Sequence, residues 1–390
     1  MPYVAPSTVV AGQTYSAANH NIIVNDIIDH EDRLDTVQNA QYPARNVLVN
    51  GAMQFAQRVT SVTGISSSVD ASNYYTADRW VQTFGAVGTT TQAITADTPS
   101  GYGFRNALRV TCTTALTSLS SSSLLQIGQR LEGQTLQHIK KGTANAQQLT
   151  LSFWVKGSTT GTYIAELRDE DNTRAVSQSY TINAANTWEQ KTVTFAADTT
   201  GVLDNDNADS LSLRLWLAAG TGYSSGSLST TWASITNANR AVGQTNLVAA
   251  VNNYIQITGV QLEPGSVASP FEFVRYDDEL ARCQRYYEKS YDISVVPGTN
   301  TTDGCASFVV SDLLSGAFGT GVRFLVRKRG TPNVTIWAPN GTINSVDFTG
   351  ASVSAATPAR LGQTGIGSIE GFTGQQGRVG TLHFVASAEL

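Results

Sequence analysis

The chain carries few residues that could act as a catalytic acid, base or nucleophile. Of its four histidines, His20 and His30 lie in a helix-patterned N-terminal segment, His138 follows a turn, and His383 falls in an alternating stretch near the C-terminus. A serine triad needs a histidine beside a serine held on a nucleophile elbow, and no such elbow supports one here. The histidine pattern therefore gives no indication of a hydrolase triad.

The acidic residues offer a second kind of hydrolytic chemistry, in which an acid and a base or nucleophile several ångströms apart cleave a glycosidic bond. The candidate glutamates are scattered through turn and strand contexts: Glu132, Glu166, Glu189 and Glu263. Glu263 lies in "QLEPG" at the end of a predicted strand, where a hydrogen bond to the backbone is the simpler role. We therefore expect no enzymatic activity and no cofactor.

An aspartate cluster in "LDNDNADS" is the candidate for a metal site. Asp204, Asp206 and Asp209 could supply oxygen ligands to calcium. The stretch lacks the glycine and the distal glutamate of an EF-hand loop, and Asp and Asn are ordinary turn formers. We therefore expect no metal site, and keep these three aspartates as the calcium candidate.

Two tryptophans are the most informative candidates for ligand binding. Trp154 in "LTLSFWVKG" and Trp216 in "LSLRLWL" both fall on the polar face of an alternating strand. A tryptophan exposed on a sheet face can stack against a sugar ring, and Arg214 is near enough in sequence to donate hydrogen bonds. The alternative is that a loop, a neighbouring strand or a sister subunit covers this face. That alternative is favoured, because trimers bury aromatic residues between protomers.

These strands belong to a β-rich region predicted from about residue 45 to residue 275. Every second residue of "LTLSFWVKG" and "LSLRLWL" is apolar, which is the period of a half-buried strand. "NYIQITGVQLE" changes phase near Gly259, as a β-bulge requires, and "RDEDNT" has the turn chemistry of a hairpin tip. Many short strands with no intervening helices predict an antiparallel jelly-roll sandwich. The residues predicted to face its core are Leu149, Leu151, Phe153, Val155, Leu211, Leu213, Leu215 and Leu217.

A short acidic helix is predicted within residues 1–42, with Ser16 as its N-cap and an end before Pro43. Its apolar positions are spaced by four and three residues, which is a heptad seam of about two heptads. β-branched residues at both core positions favour three strands, so we predict a homotrimer; the alternative is a helix lying on its own domain. The seam residues are Ile23, Ile27, His30, Leu34 and Val37.

A second helix, predicted over residues 276–290, carries a similar stripe. Tyr276, Leu280, Cys283 and Tyr287 are spaced by four, three and four residues. The stripe could pack on the sandwich or on a trimer axis, and the spacing leaves both open.

Residues 291–390 return to short strands and are predicted to form a small β-domain. "GVRFLVRKRGTPNVTIWAP" has the pattern of a hairpin, and the glycine-rich stretch "GQTGIGSIEGFTGQQG" is typical of loops or extended turns. No strand-to-helix transition surrounds those glycines, so they are not expected to hold a phosphate.

Composition narrows the classes of partner. The 390 residues include 34 glycines, only 14% are charged, and the formal net charge is -5. Without a basic surface, neither nucleic acid nor an anionic membrane is an expected partner. No run of 18 apolar residues or signal-peptide pattern is present, so no membrane insertion is expected. Three widely spaced cysteines, Cys112, Cys283 and Cys305, suit reduced thiols in a cytoplasm.

The order of several motifs resembles a cassette of bacteriophage tail-fibre and related virion proteins. The motifs are "NVLVNGAMQFAQR", "YTADRW", "IGQRLEG", "LTLSFWVKG", "ITGVQLEPGSVASPFEFV" and "ELARCQRYYEKSYD". In that family a jelly-roll domain similar to carbohydrate-binding modules opens and closes with the first and fifth of these motifs. A helix and a C-terminal β-knob, often ending in "AEL", follow. The matching positions are Asn50, Gly51, Gln57, Arg58, 260–263 and 388–390.

The resemblance implies a structural protein of the virion, assembled in the cytoplasm of a bacterial host. It implies a homotrimeric tail fibre whose N-terminal segment attaches to other virion proteins and whose body could bind a host-surface glycan. The alternatives are a trimeric capsid decoration protein, a glycan-binding receptor module and, from the enzyme class, a polysaccharide depolymerase.

Overall fold

The computed structural model describes residues 45–66, 72–310, 321–349, 353–372, 375 and 377–390. The helix predicted within residues 1–42 lies outside the described residues, and so do its seam positions. Trimerisation through that helix therefore stays a prediction. Within the described ranges, no helix is both long enough and apolar enough to cross a lipid bilayer.

Residues 61–264 form a sandwich of two antiparallel sheets. Its strands are β1 Ser61–Ile65, β2 Ser72–Tyr74, β3 Val81–Gly85, β4 Thr90–Thr95, β5 Ala107–Cys112, β6 Leu124–Glu132, β7 Leu149–Gly157, β8 Gly161–Asp169, β9 Arg174–Ile182, β10 Glu189–Phe195, β11 Asp209–Ala219, β12 Ala233–Ser234 and β13 Tyr254–Pro264. The connections include the one-turn helices α1 Gly133–Leu136 and α2 Thr221–Ser224, and the 3-10 turns Gln137–Ile139, Asn237–Asn239 and Leu247–Ala249.

The two sheets of the sandwich enclose one large hydrophobic core. The first sheet runs β1-β4-β5-β13-β7-β10 and the second β12-β9-β8-β11-β6-β3-β2. All the apolar residues predicted to point inward from β7 and β11 lie in the core cluster between the sheets. The hairpin tip predicted at "RDEDNT" joins β8 to β9. The predicted mainly β fold with an antiparallel sandwich is confirmed.

Strand β13 changes phase in its middle. Its register against β7 shifts between Thr258 and Gln261. Gly259 lies at this bulge with φ of 60°, and a Cβ there would stand 2.5 Å from the Phe104 ring. The predicted bulge is confirmed, and both the backbone conformation and the space favour glycine at its centre.

A helix of nine residues, α3 Tyr276–Gln284, follows the sandwich. It is shorter than the predicted span of 276–290, because the chain enters strand β14, Tyr287–Lys289, shortly afterwards. On α3, Cys283 is fully buried against Val49 and Phe55, and Leu280 packs on the same cluster. The ring of Tyr276 meets Phe55 edge-on at 4.8 Å.

The predicted stripe therefore packs mainly on the chain's own sandwich. Cys283 is inaccessible, and Tyr287 lies in a strand, 6% exposed, beneath the guanidinium of Arg58. The assignment of Cys283 and Tyr287 to a trimer interface is wrong, because the monomer already buries both side chains. Leu280 is half-buried and Tyr276 is 48% exposed, so their role in a trimer stays a prediction.

The C-terminal part builds two smaller sheets around a separate core of aromatic and aliphatic side chains. Its further strands are β15 Ala306–Val309, β16 Val322–Arg323, β17 Asn333–Trp337, β18 Ser345–Phe348, β19 Ser354–Ala355, β20 Thr357–Gly362, β21 Gly365–Glu370 and β22 Val379–Ser387. Strand β22 is central, since β14, β15, β17 and β18 all pair with it.

Two local predictions for this part are wrong. The hairpin predicted across residues 321–339 does not form, because β16 pairs with β21 while β17 pairs with β22. The glycine-rich stretch predicted as loops contains strand β21, which forms a hairpin with β20. In both cases the pairing partner lies outside the stretch from which the prediction was made.

A buried carboxylate joins the two parts of the chain. Glu389, just beyond β22, forms ion pairs with Arg58, at 2.9 Å, and with Arg79. Arg79 is 1% exposed and its guanidinium lies 3.5 Å from the ring centroid of Tyr286; Arg58 lies 3.8 Å from that of Tyr287. The two arginines of the sandwich therefore hold both the C-terminal residues and the connection between α3 and β14.

Replacing Glu389 with glutamine should lower the free energy of unfolding by about 3 kcal/mol, because the neutral amide leaves a buried arginine without a counterion. Urea unfolding measures this change. Glu370→Gln is the matched control, since Glu370 faces the largely exposed Arg360 at 3.8 Å and such pairs contribute at most ~1 kcal/mol. An unchanged unfolding midpoint for Glu389→Gln would contradict this role of the carboxylate.

Candidate functional site

The two tryptophans singled out by their position on polar strand faces lie in different sheets. Trp154 is on β7 of the first sheet and Trp216 on β11 of the second. Trp216 is fully buried, and its indole N–H donates to a carboxylate oxygen of Glu166 at 2.6 Å. Ala241 and Tyr223 pack against the same ring from the connection between β11 and β13.

Trp216 does not present its ring at the surface, so its candidate role in glycan binding is wrong. The side chain does point away from the central core, as the alternation indicated, but the long connection between β11 and β13 covers that face. The alternative of a covering loop is what the structure shows.

Arg214 has a structural role near Trp216. Its guanidinium donates to Glu170 at 2.7 Å, and the side chain is 19% exposed. Burial lowers the pKa of Arg214, while Glu166 and Glu170 oppose that effect. Because it lies on the opposite sheet, Arg214 cannot join Trp154 in one site.

Trp154 lies instead beneath the loop between β4 and β5. The ring of Tyr102 stands 4.2 Å from that of Trp154, tilted by 50°. Trp154 is half-buried and Tyr102 is 54% exposed. Gly101 and Gly103, on either side of Tyr102, have φ of 85° and 82°, a conformation that glycine adopts without strain. These two glycines let the loop turn sharply enough to place Tyr102 over the sheet.

Asp97, in the same loop, connects β7, β13 and the residue just before β10. Its carboxylate accepts hydrogen bonds from the indole N–H of Trp188 at 3.1 Å, from Lys156 at 2.7 Å and from Gln256 at 3.2 Å. Burial would raise the pKa of Asp97, but the donors Lys156, Trp188 and Gln256 outweigh it, so the pKa is lowered. The carboxylate is 42% exposed and ionised at neutral pH, which leaves it able to accept further hydrogen bonds from solvent or a ligand.

A cation and a further aromatic ring extend this surface. Gln256 pairs with Lys156 on one side and with Arg109 of β5 on the other, so the three residues form a row across the sheet. The Arg109 guanidinium lies 3.9 Å from the ring centroid of Tyr254, whose hydroxyl donates to Asn186 at 2.7 Å. We call the following set the aromatic face: Asp97, Tyr102, Arg109, Trp154, Lys156, Trp188, Tyr254 and Gln256.

The aromatic face combines apolar rings with fixed donors and acceptors. Half-exposed aromatic rings offer flat apolar surface, and the ionised carboxylate and two cations beside them offer directional hydrogen bonds. Only Trp154 of this set was predicted from sequence. Trp188 precedes β10 by one residue and the loop residues have no periodicity, so their convergence depends on strand pairing that the sequence does not reveal.

The three aspartates of the calcium candidate do not converge. Asp206 accepts from the amide of Ala208 at 2.9 Å, and Asp209 accepts from the hydroxyl of Ser212 at 3.3 Å. Across the described part of the chain, no group of three or more His, Cys, Asp or Glu side chains could hold a metal ion. The turn-forming role considered for this stretch accounts for Asp206. Asp204 is exposed.

The glutamates considered as catalytic candidates bind partners of their own. Glu132 pairs with Arg285 at 2.6 Å and Glu166 with Arg240 at 2.9 Å. Glu263 accepts from the backbone N–H of Ser269 at 2.8 Å, which is the role predicted for it. Glu189 accepts from the backbone of 183 and 184 and from Lys191, and these donors lower its pKa to about 2 against the opposing effect of burial.

A Gly-x-Ser-x-Gly string does occur at residues 222–226, although no elbow was predicted. Ser224 ends the one-turn helix α2, and its hydroxyl donates to the carbonyl oxygen of Gly220 at 3.0 Å. The Ser224 hydroxyl therefore stabilises its own helical turn.

His383, on β22, contacts a cysteine and a serine. Its Nδ1 lies 3.0 Å from the Ser290 hydroxyl and its Nε2 lies 3.2 Å from the Cys305 sulfur. The carbonyl oxygen of Thr301 lies 3.1 Å from Nε2 and can only accept, so the ring proton is on Nε2. Nδ1 is then the acceptor for the Ser290 hydroxyl, whose oxygen accepts from the amide of Phe384 at 2.9 Å. In this tautomer His383 cannot accept the thiol proton.

Burial lowers the pKa of His383 and raises that of Cys305, so both groups are neutral near pH 7. Cys305 should accordingly react with iodoacetamide more slowly at pH 7 than a free cysteine, because the thiolate is the nucleophile. Peptide mass spectrometry measures the rate, with urea-unfolded protein as the reference. His383→Gln should leave the rate unchanged; rapid labelling that this variant abolishes would show a His383–Cys305 ion pair.

No protein-family profile and no curated protein sequence matches the chain. Solved structures that are similar to part of the chain include the enzymatically active domain of tailspike protein 4 of bacteriophage CBA120. The sequence identity is 17% and the TM-score is 0.30, and the alignment covers 57% of this chain and 22% of that one. The family 11 carbohydrate-binding module from Clostridium thermocellum, in complex with a mixed-linked tetrasaccharide, has 11% identity, a TM-score of 0.27, and coverage of 54% and 99%. A putative sugar binding protein from Bacteroides thetaiotaomicron has 11% identity, a TM-score of 0.30, and coverage of 56% and 99%.

The chain is thus similar in structure, at a distance, to carbohydrate-binding modules and to a phage tailspike domain. The TM-scores are 0.30 or lower, and the chain spans less than a quarter of the tailspike domain.

Proposed function

We propose that this chain is a non-enzymatic bacteriophage virion protein, a homotrimeric tail fibre or fibre-like appendage that binds a host-surface glycan through the aromatic face. The observation that carries the glycan-binding part is the convergence of Tyr102, Trp154 and Trp188 around the ionised carboxylate of Asp97. The order of the fibre-cassette motifs along the sequence supports the virion part.

The chemistry of the aromatic face matches that of a sugar. A pyranose ring has a flat array of C–H groups that packs on an aromatic ring, and a rim of hydroxyls that need hydrogen-bond partners when water is displaced. Trp154 and Tyr102 supply the rings, Asp97 an acceptor, and Lys156 and Arg109 donors. Three hydrogen bonds, from Lys156, Gln256 and Trp188, hold Asp97 in place before a ligand arrives, which reduces the entropy lost on binding.

The contacts of the carboxylates support binding without catalysis. Hydrolysis of a glycosidic bond needs two carboxyl groups facing one scissile bond. On the aromatic face, Asp97 is the acidic member, and its lowered pKa makes it a poor proton donor at neutral pH. Such a surface holds a sugar. The glutamates considered from sequence, including Glu189 next to Trp188, bind partners of their own.

Trp154→Ala and Trp188→Ala should each weaken glycan binding at least tenfold, or about 1.4 kcal/mol, because each removes a flat apolar surface from the site. A glycan array followed by calorimetry on the best glycan measures the change. Tyr223→Ala is the matched control, since Tyr223 is a half-buried aromatic in α2, in the connection that covers the opposite sheet. Unchanged binding in both tryptophan variants would remove the aromatic face from this function.

The intact protein should have a mass in solution of three times 41.5 kDa, because the heptad spacing within residues 1–42 favours three strands. Light scattering after gel filtration measures it. A chain lacking residues 1–42 should be a monomer if that segment drives assembly. A stable monomer of the intact chain would overturn the trimer.

A further inference from the structure

A second group of aromatic side chains lies beside the aromatic face. Phe104, Phe271 and Phe273 contact one another, with ring centroids 4.9 to 5.3 Å apart. Phe104 is 8% exposed and fills the space above the Gly259 bulge, whereas Phe273 is 57% exposed. Phe104 therefore anchors the group, and Phe273 carries its accessible surface.

The polar contacts of the following segment place this group on the outer side of the first sheet. The hydroxyl of Thr150, which points outward from β7, donates to the carbonyl oxygen of Gly265 at 2.8 Å. Further along, the amide of Glu272 donates to Gln261 of β13 at 2.8 Å. Residues 265–273 thus run across the same side of the sheet that carries Trp154.

The two groups of rings meet at the tip of the β4–β5 loop. A Cβ on Gly103 would stand 3.3 Å from the Phe273 ring, and Tyr102, the preceding residue, packs on Trp154. Trp188 joins from the other side through Asp97, which also holds Lys156, two residues after Trp154 on β7. Trp188, Trp154, Tyr102 and Phe273 therefore follow one another across one side of the sheet, from the residue before β10 to the segment after β13. We call this row the aromatic strip; Asp97 and Lys156 lie between Trp188 and Trp154, and Gly103 lies between Tyr102 and Phe273.

The length and exposure of the strip decide what it can hold. One sugar ring covers about one aromatic side chain, so a single terminal sugar would leave most of the strip in water. Two of its members, Tyr102 and Phe273, are more than half exposed. Large exposed apolar side chains in contiguous arrangement mark binding surfaces more often than isolated ones do. The polar groups Asp97, Lys156, Gln256 and Arg109 lie in a row across the sheet beside these rings, so hydrogen-bonding partners are available along the strip.

We propose that the ligand is the interior of an extended polysaccharide chain, which lies along the strip with Phe273 as a distal subsite. This inference rests on the proposed glycan-binding function and adds the class of ligand. Several units of the chain would contact the protein at once, so that affinity increases with chain length.

The test is a series of glucose, galactose, mannose and N-acetylglucosamine oligosaccharides, from disaccharides to octasaccharides, measured by calorimetry or on an array. For the series that binds, affinity of the unaltered protein should rise at least tenfold from the shortest ligand bound to the longest. Phe273→Ala should remove most of that gain while changing the affinity for the shortest ligand less than twofold. Trp154→Ala should weaken every length. Leu325→Ala, which removes an apolar side chain 83% exposed in the C-terminal part, is the matched control and should change nothing.

The outcomes separate the two proposals. Affinity that does not depend on chain length, or a Phe273→Ala variant that follows the unaltered protein at every length, would overturn the extended strip and leave glycan binding standing. Binding only of an oligosaccharide's terminal unit would do the same. Failure of the unaltered protein to bind any series or any host surface polysaccharide would overturn both. Thermal unfolding of each variant confirms that the fold is retained, because Phe273 is mostly exposed and its loss should not lower the unfolding temperature.

Discussion

The architecture depends on a carboxylate held between two arginines where two separate cores meet. Arg79 is a cation with almost no exposure, and a buried cation without a counterion would cost several kcal/mol. Glu389, at the far end of the sequence, is that counterion, and its carboxylate also pairs with Arg58. The sandwich therefore presents its arginines in a stable arrangement only when the C-terminal strands are in place. Folding of the two parts is coupled through this charge, although each has its own apolar core.

The residues that carry the fibre-cassette resemblance acquire physical roles in the same region. Asn50 adopts φ of 59° and closes a loop, its side chain accepting from the amide of Phe55 at 3.0 Å. Gly51 cannot be larger, because a Cβ would stand 2.2 Å from the carbonyl oxygen of Val260. Gln57 donates to Asp78 at 2.7 Å and to the backbone of Tyr287 at 3.0 Å.

Burial raises the pKa of Asp78 to about 6, with Arg58 and Gln57 opposing the shift. Residues 46–58 form no strand, and the opening motif is instead a set of contacts to β13 and to β14. Its residues explain the joint between the two parts and not the aromatic face. A motif can thus identify an architecture while the residues that select a ligand lie outside it.

Alternation along a strand predicted the core well and the surface poorly. The leucines of β11 face the core as expected, because the period of two is a local property of the backbone. The same pattern placed Trp154 and Trp216 on equivalent outer faces, yet one is half-exposed and the other fully buried. What differs is the long connection that crosses the second sheet, and its path is set by contacts far apart in sequence. The hairpin wrongly predicted across residues 321–339 failed for the same reason, since strand partners were chosen by proximity along the chain.

The bulge at Gly259 divides β13 into two stretches that make different contacts. Before it, Tyr254 and Gln256 belong to the aromatic face; after it, Gln261 and Glu263 are fully buried and hold the segment that follows. The extra residue reverses the side of the sheet to which alternate side chains point, so the two stretches contact different neighbours. Substitutions in the first stretch therefore need not disturb the contacts made by the second. In the proposed viral fibre, binding specificity could change in this way at little cost to assembly.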